Sequence, residues 1–304
     1  MFDHGATDAI LPRLDTESAL AQSTEFANAL RLAGQAPLML KSEQNLLVLR
    51  RSFWRFPVAM INRAEMPAPA QLFQALHEAG LRRTPIILSP NHRVPELAKL
   101  GAVPLMSPAS IALLRLQKDA TARRAMLAQK WRNRLHHGEA QSLRVTRQNL
   151  PLSAGHWLLR ADAAQQEARG YQAWPVALTL AYAQANRGCA KLFEARDGND
   201  IVAGVLLLTH GDGATYHVAH TTDRGKALSA HNLLMWRAME WLAAKGIRQL
   251  DLGVINTEDA PGLARFKLGT GAEVKRLGGT WLYWPPLGRS LAPLAALDRT
   301  LMSA

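Results

Sequence analysis

The 304-residue sequence carries 36 Lys and Arg against 24 Asp and Glu, a formal charge of +12, and 48 % of it is apolar. That composition fits a folded protein with enough chain to bury a real core, and it excludes a disordered, collagen-like or repeat chain. A single cysteine, Cys189, excludes an internal disulfide framework and any multi-cysteine zinc site.

No apolar run approaches the ~20 residues that cross a bilayer. The opening stretch MFDHGATDAILPRLDTESAL is acidic and lacks a basic start with an apolar core, so no signal peptide and a cytoplasmic protein are expected. Charge is unevenly spread. Residues 1–25 hold five acids and one base, whereas 118–148 hold eight bases (Lys118, Arg123, Arg124, Lys130, Arg132, Arg134, Arg144 and Arg147) against Asp119 and Glu139. Such a patch suits a nucleotide cofactor, a nucleic acid or an anionic membrane, and equally a plain solvated helix face.

In chain order, residues 37–42, 45–52 and 56–62 read as strands, and 66–80 as a helix closed by Gly80. A short buried strand (84–90), a Gly-terminated helix (94–101) and another strand (102–107) follow. Residues 119–140 read as one long basic helix, with Ala125, Leu127, Ala128, Trp131 and Leu135 on one side. A strand (142–148) and helices near 154–169 and 175–187 come next. The apolar runs 190–196 and 200–210, separated by Asp197-Gly198-Asn199, predict a hairpin. Gly211-Asp212-Gly213 turns the chain into a strand (214–222). The polar loop 223–230 leads to a helix (231–246) and a strand (247–254). Pro261 opens a helix, and 273–285 gives the last strand or hairpin. This mixture predicts an α+β (mixed α/β) fold.

Standard catalytic motifs are missing: no G-x-G-x-x-G, Walker loop, H-E-x-x-H or G-x-S-x-G occurs. His217 and His220, three apart on a strand, should face opposite ways, and the adjacent His136 and His137 cannot share a metal, so no metal is expected. Cys189 reads as a small packing residue. The unit that attracts attention is strand 214–222, the loop Asp223 to Ala230, and the helix after it. Backbone amides at that helix start, with Arg224 and Lys226 alongside and Gly225 permitting close approach, could hold a phosphate; a plain basic loop is the other reading.

The run from Tyr216 to Val274 carries N-x-L-L-x-W-x-A-M-x-W, then R-x-L-D-L-G, then P-G-L-x-R-F-K-x-G-x-G. It resembles the C-terminal acyltransferase domain of the GNAT superfamily, and more narrowly the Fem-type (FemAB-like) aminoacyltransferases of peptidoglycan bridges. The basic segment KWRNRLHHGE (130–139) resembles the opening of the second GNAT half in that branch. The resemblance implies two tandem GNAT-like halves: a degenerate N-terminal half (1–117), an acyltransferase domain (118–285) and a tail (286–304).

The same resemblance implies a splayed strand pair, 214–222 and 248–254, with the donor's arm in the opening and its phosphates on Arg224, Gly225, Lys226, Ala227, Ser229 and Ala230. Ala227 stands where the family has its first glycine. Acyl-CoA or, as in the Fem branch, aminoacyl-tRNA is the implied donor, and an amine the acceptor. Lys267 then stabilises an oxyanion or binds a phosphate, Asp251 orients or deprotonates the amine, and Arg132, Arg134, Arg265 and Phe266 contact substrate. Asn232 reads as a helix cap, and Trp236 and Trp241 as packing residues. The implied setting is cell-envelope chemistry at the cytoplasmic side of the inner membrane, with peripheral contact to anionic lipid and no DNA partner. The rival is a non-catalytic GNAT scaffold that binds RNA or membrane through its basic face.

Overall fold

The computed structural model describes residues 19–41, 45–54, 56–291 and 293. The charged opening segment and most of the tail lie outside them. After a 3-10 turn over Leu20–Gln22, Ser23 Oγ accepts from Phe26 N at 3.0 Å to cap α1 (Thr24–Leu32), a helix the sequence reading did not anticipate. Then come β1 (Leu38–Leu40), β2 (Leu46–Phe53), β3 (Phe56–Ala64), α2 (Pro69–Glu78), β4 (Ile86–Pro90), α3 (Glu96–Lys99) and β5 (Val103–Met106). Next are β6 (Ser110–Arg115), α4 (Ala120–Ala125), α5 (Gln129–Glu139), β7 (Leu143–Asn149), α6 (Trp157–Arg169) and α7 (Val176–Ala185). The chain continues with β8 (Ala190–Asp197), β9 (Asp200–His210), β10 (Gly213–Thr221), α8 (Asp223–Ala227) and α9 (Ala230–Ala244). Then come β11 (Gln249–Val254), α10 (Pro261–Gly269), β12 (Glu273–Arg276) and β13 (Thr280–Tyr283), followed by a 3-10 turn over Gly288–Leu291.

The strands form two mixed sheets, in the orders β1-β2-β3-β4-β13-β5 and β12-β6-β11-β10-β9-β8-β7. Each sheet takes a strand from the far part of the chain. β6 precedes residue 118 yet pairs with β11 and β12 in the seven-stranded sheet; β13 crosses back to lie between β4 and β5. Residues 273–285 are therefore not a hairpin, because β12 and β13 belong to different sheets. The passage between them is tight. Gly278 N donates to Pro90 O at 3.1 Å, and a Cβ on Gly278 would stand 2.2 Å from His92 O.

Three cores result. One lies between the seven-stranded sheet and α5 and α9, around Trp131, Phe193, Leu234 and Leu250. Another fills the six-stranded sheet against α2 and α3, around Ile61, Leu72, Leu88 and Trp281. The third joins the two sheets: Phe26, Leu30 and Leu47 pack with Leu158, Tyr182, Leu206 and Val218. Buried Gln22 strengthens this seam, donating to Leu47 O and Asn62 O while its Oε1 accepts from Leu47 N.

The expected helix over 119–140 is two helices. Ala128 sends its N–H to Gly269 O at 2.9 Å instead of back along the helix, and Arg132 wraps around to donate to Leu127 O and Ala125 O. The loop expected over 223–230 coils into α8, capped by Thr222 Oγ1 on Gly225 N. Replacing Gly278 by Ala forces backbone apart where the chain changes sheets, so Gly278→Ala should lower stability by about 1–3 kcal/mol, read as a shifted urea midpoint at constant slope.

Candidate functional site

β10 and β11 are parallel neighbours for three residue pairs: Gly213 with Gln249, Ala214 with Leu250, Thr215 with Asp251. Beyond Thr215 they part. β10 continues on β9 to Thr221, and β11 keeps only β6. Two irregularities drive the separation. β10 bulges at His217, between Tyr216 and Val218. β11 breaks register after Asp251, where Gly253 takes φ +78° and its N–H donates to Asp251 Oδ1 at 2.7 Å. The expected splayed pair is thus present.

Tyr216, His231 and Phe266 cluster beside this opening. Tyr216 Oη lies 3.1 Å from His231 Nε2, Thr221 Oγ1 lies 3.2 Å from Nδ1, and the His231 and Phe266 rings are 4.8 Å apart. Burial holds His231 neutral, its pKa down to about 4, and pushes the Tyr216 phenol up. Neither residue was picked out from the sequence. A lone His and Tyr on neighbouring elements carry no spacing signal, and the bulge that aims them is invisible there.

Lys267 follows Phe266 on α10. It is 7 % exposed, its Nζ donates to Val254 O at 2.8 Å, and it sits against Gly253. Burial lowers its pKa, and the Asp251 charge opposes that. The ammonium keeps two further N–H groups. Asp251 has both oxygens in use: Oδ1 on Gly253 N and Oδ2 on Arg63 Nη2 at 3.0 Å. Arg63, another residue the sequence reading passed over, comes from the six-stranded sheet with φ +54°, and its Nε donates to Asn91 Oδ1.

The basic segment divides by role. Arg123 is buried, donates to Gln117 O and lies over Trp236; Arg124 pairs with Glu139; Arg132 caps the end of α4; Arg147 lies over Trp241. Lys130, Asn133, Arg134 and His137 instead line a cavity of about 460 Å³ together with Ala227 and Ser229. His137 Nδ1 lies 3.2 Å from Ser229 Oγ, and Gly138 lets α5 approach Ser229 O. Ser229 adopts φ +53° and positions the start of α9, so its first turn presents the amides of Ala230, His231 and Asn232. Asn232 lies in that turn, and Ser229 occupies the cap position expected for it.

The loop's own amides are largely spent. Those of Gly225, Lys226, Leu228 and Ser229 bond to Thr222 Oγ1, Thr222 O, Arg224 O and Lys226 O. Gly225 serves packing: a Cβ there would be 2.2 Å from Val202 O. Arg224 and Lys226 are exposed and paired with Asp197 and Asp223. Arg265 is exposed on α10, and Phe266 packs on His231 and Trp131. Trp236 is buried, as a packing residue should be.

The histidine pair on β10 departs from expectation. The bulge absorbs one position, so His217 and His220 face the same layer: His217 Nε2 meets Thr179 Oγ1 at 2.9 Å and His220 lies against Trp157.

Residues 121–268 match the family model "Acetyltransferase (GNAT) domain". The fold is a tandem GNAT-like one, similar to those of several solved structures. FemX superposes with a TM-score of 0.72 at 13 % identity, covering 92 % of this chain and 94 % of that one. The L-PGS structure from Bacillus licheniformis gives 0.53 at 13 % identity, covering 95 % and 99 %. A tandem GNAT protein from the clavulanic acid biosynthesis pathway gives 0.51 at 12 % identity, covering 90 % of each. The search of curated proteins finds no match.

His210, His217 and His231 are each held neutral by burial to about pH 4. An unfolded chain takes up these protons near pH 6.5. Between about pH 6.5 and 4 the unfolded state therefore binds more protons, and stability falls as pH falls, by up to about 1.4 kcal/mol per pH unit for each group. Thermal melts at pH 7.5 and 5 should show the lower melting temperature at pH 5; equal values would refute neutral burial.

Proposed function

We propose that the chain is a Fem-like N-acyltransferase that moves an acyl or aminoacyl group from a CoA thioester or an aminoacyl-tRNA ester to an amine. The observation that carries this reading is the opening between β10 and β11, with the buried Lys267 ammonium at its edge. A neutral amine attacks the carbonyl carbon, and the carbonyl oxygen gains the negative charge. Lys267 supplies N–H donors to that oxygen in a site largely shielded from water, where such donors count most. Collapse of the tetrahedral intermediate breaks the bond to the thiolate or ribose oxygen, which leaves with the proton the amine gives up. Asp251 acts as a positioning residue, since both its oxygens are engaged in holding the β11 bulge and Arg63.

Donor phosphates are placed against Lys130, Arg134 and His137 and the first turn of α9 rather than on the α8 amides, which are in use. Arg224 and Lys226 contribute to the same field from outside. The acceptor approaches from the side of Asp251 and Arg63, and the FemX-like architecture supports a cell-envelope acceptor. The spent loop amides also favour a second reading, in which the scaffold binds RNA or an anionic membrane through the basic face of α5 without turnover.

The two readings part on substitution. With acetyl-CoA, a longer acyl-CoA and charged tRNA offered against a panel of amines, Lys267→Ala should cut turnover about 100-fold or more while leaving donor affinity near that of the parent. A pure binder would show no turnover to lose. Lys130→Ala/Arg134→Ala should weaken donor binding about ten-fold or more in calorimetric titration, through two lost charge-assisted contacts. Unchanged affinity would remove the α5 cavity from the donor site.

A further inference from the structure

The six-stranded sheet ends, at the edge remote from Arg63, in exposed aromatic and basic side chains that acyl transfer does not use. Trp54 stands at the turn between β2 and β3, 98 % exposed, and Phe56 follows at 75 %. Trp54 holds φ +59°, a backbone conformation that costs energy for a bulky residue. A large apolar side chain kept in that conformation and in open solvent gains nothing from the protein's own core.

Register assembles the rest of the edge. Ala59 lies opposite Ile86, and Ile86 opposite Tyr283. Phe56 and Arg83, three residues before those positions, and Trp284, one after Tyr283, therefore share one end of the sheet; Trp284 Nε1 donates to Arg83 O at 3.2 Å. Trp284 and Leu287 are each 39 % exposed. Exposed Arg82, Arg83 and Lys99 stand around them. The acids nearby are Glu78, which accepts from Gln74, and exposed Glu96, at the other end of α3 from Lys99.

We propose that this edge docks on an anionic phospholipid membrane, with Trp54 and Phe56 in the headgroup layer and Arg82, Arg83 and Lys99 on lipid phosphates. Trp at a membrane–water interface and basic side chains near an anionic surface are both favourable placements. A second copy of the chain is a poorer occupant. Two protruding rings of roughly 150–250 Å² each offer less than the ~800 Å² per partner of a stable interface. The docking is independent of which donor or acceptor the GNAT site takes, and its test needs no turnover.

The full chain is sedimented with vesicles of phosphatidylglycerol and phosphatidylethanolamine, and with phosphatidylcholine vesicles. Binding to the anionic vesicles that falls with added salt, with little to the neutral ones, is the expected result. Trp54→Ala/Phe56→Ala should weaken it at least ten-fold, and Arg82→Glu/Arg83→Glu comparably, with melting temperatures unchanged. The second pair carries the test should the first unfold the hairpin. The proposal is overturned if the parent stays in the supernatant with anionic vesicles, or if both folded double variants sediment like the parent. It is also overturned if light scattering finds a dimer that Trp54→Ala/Phe56→Ala dissolves, since a second copy is then the occupant.

Discussion

One carboxylate holds the two sheets to the geometry of the site. Asp251 is the last β11 residue paired with β10; its Oδ1 fixes the Gly253 amide as β11 breaks register, and its Oδ2 holds Arg63 of the other sheet. Without the first bond, β11 has no fixed reason to leave β10. Without the second, a half-buried guanidinium and carboxylate would each lose a charged partner, and breaking one side of such a pair costs more than the pair contributes. The opening between the strands and the placement of Lys267 against Val254 O lie beside that arrangement, which adds one ion pair to the apolar seam between the sheets. This is why Asp251 reads as a positioning group in the proposed reaction: its two oxygens hold the Gly253 amide and Arg63.

Charge by itself marks a region and does not tell the residues within it apart. Of the eight bases in 118–148, Arg123, Arg124, Arg132 and Arg147 have work inside the fold, on carbonyl oxygens, a glutamate or indole rings. Lys130 and Arg134, one turn apart on α5, are left facing the start of α9. Helical periodicity selects that face once the helix boundaries are known. The boundaries were hidden, because Ala128 turns its amide to Gly269, more than a hundred residues away.

The elements legible in the sequence are those whose pattern answers to local physics. The Asp-Gly turn between β8 and β9, and α9 with its Gly246 stop, needed no distant partner. β6 was missed because Ile111, Ala112 and Leu114 are buried on both faces of a central strand, which removes the alternation that marks a half-exposed one. β12 and β13 were merged because nothing in their sequence tells which sheet each will join. In the site, Lys267 and Asp251 were legible through the F-K and D-L-G runs. Arg63 was not: it reaches Asp251 across 188 residues of chain, from a strand end whose positive φ no local signal announces.

The proposed membrane edge and the candidate acyl-transfer site lie at opposite ends of one strand. β3 begins at Phe56 beside the exposed Trp54 and ends near Arg63, which grips Asp251. Seven residue steps at about 3.3 Å put some 23 Å between them. With β3 upright on the lipid, a chain seated by the hairpin would hold its proposed acyl-transfer opening about that far from the headgroups. In that pose the hairpin is an anchor and not a substrate gate. An acceptor bound at the Asp251 end has to reach it through solvent, as a soluble molecule or a headgroup on a long extension, whereas a short lipid headgroup would need a second orientation of the protein. On the two proposals together, the strand's length would connect where the protein sits to the size of the acceptor it serves.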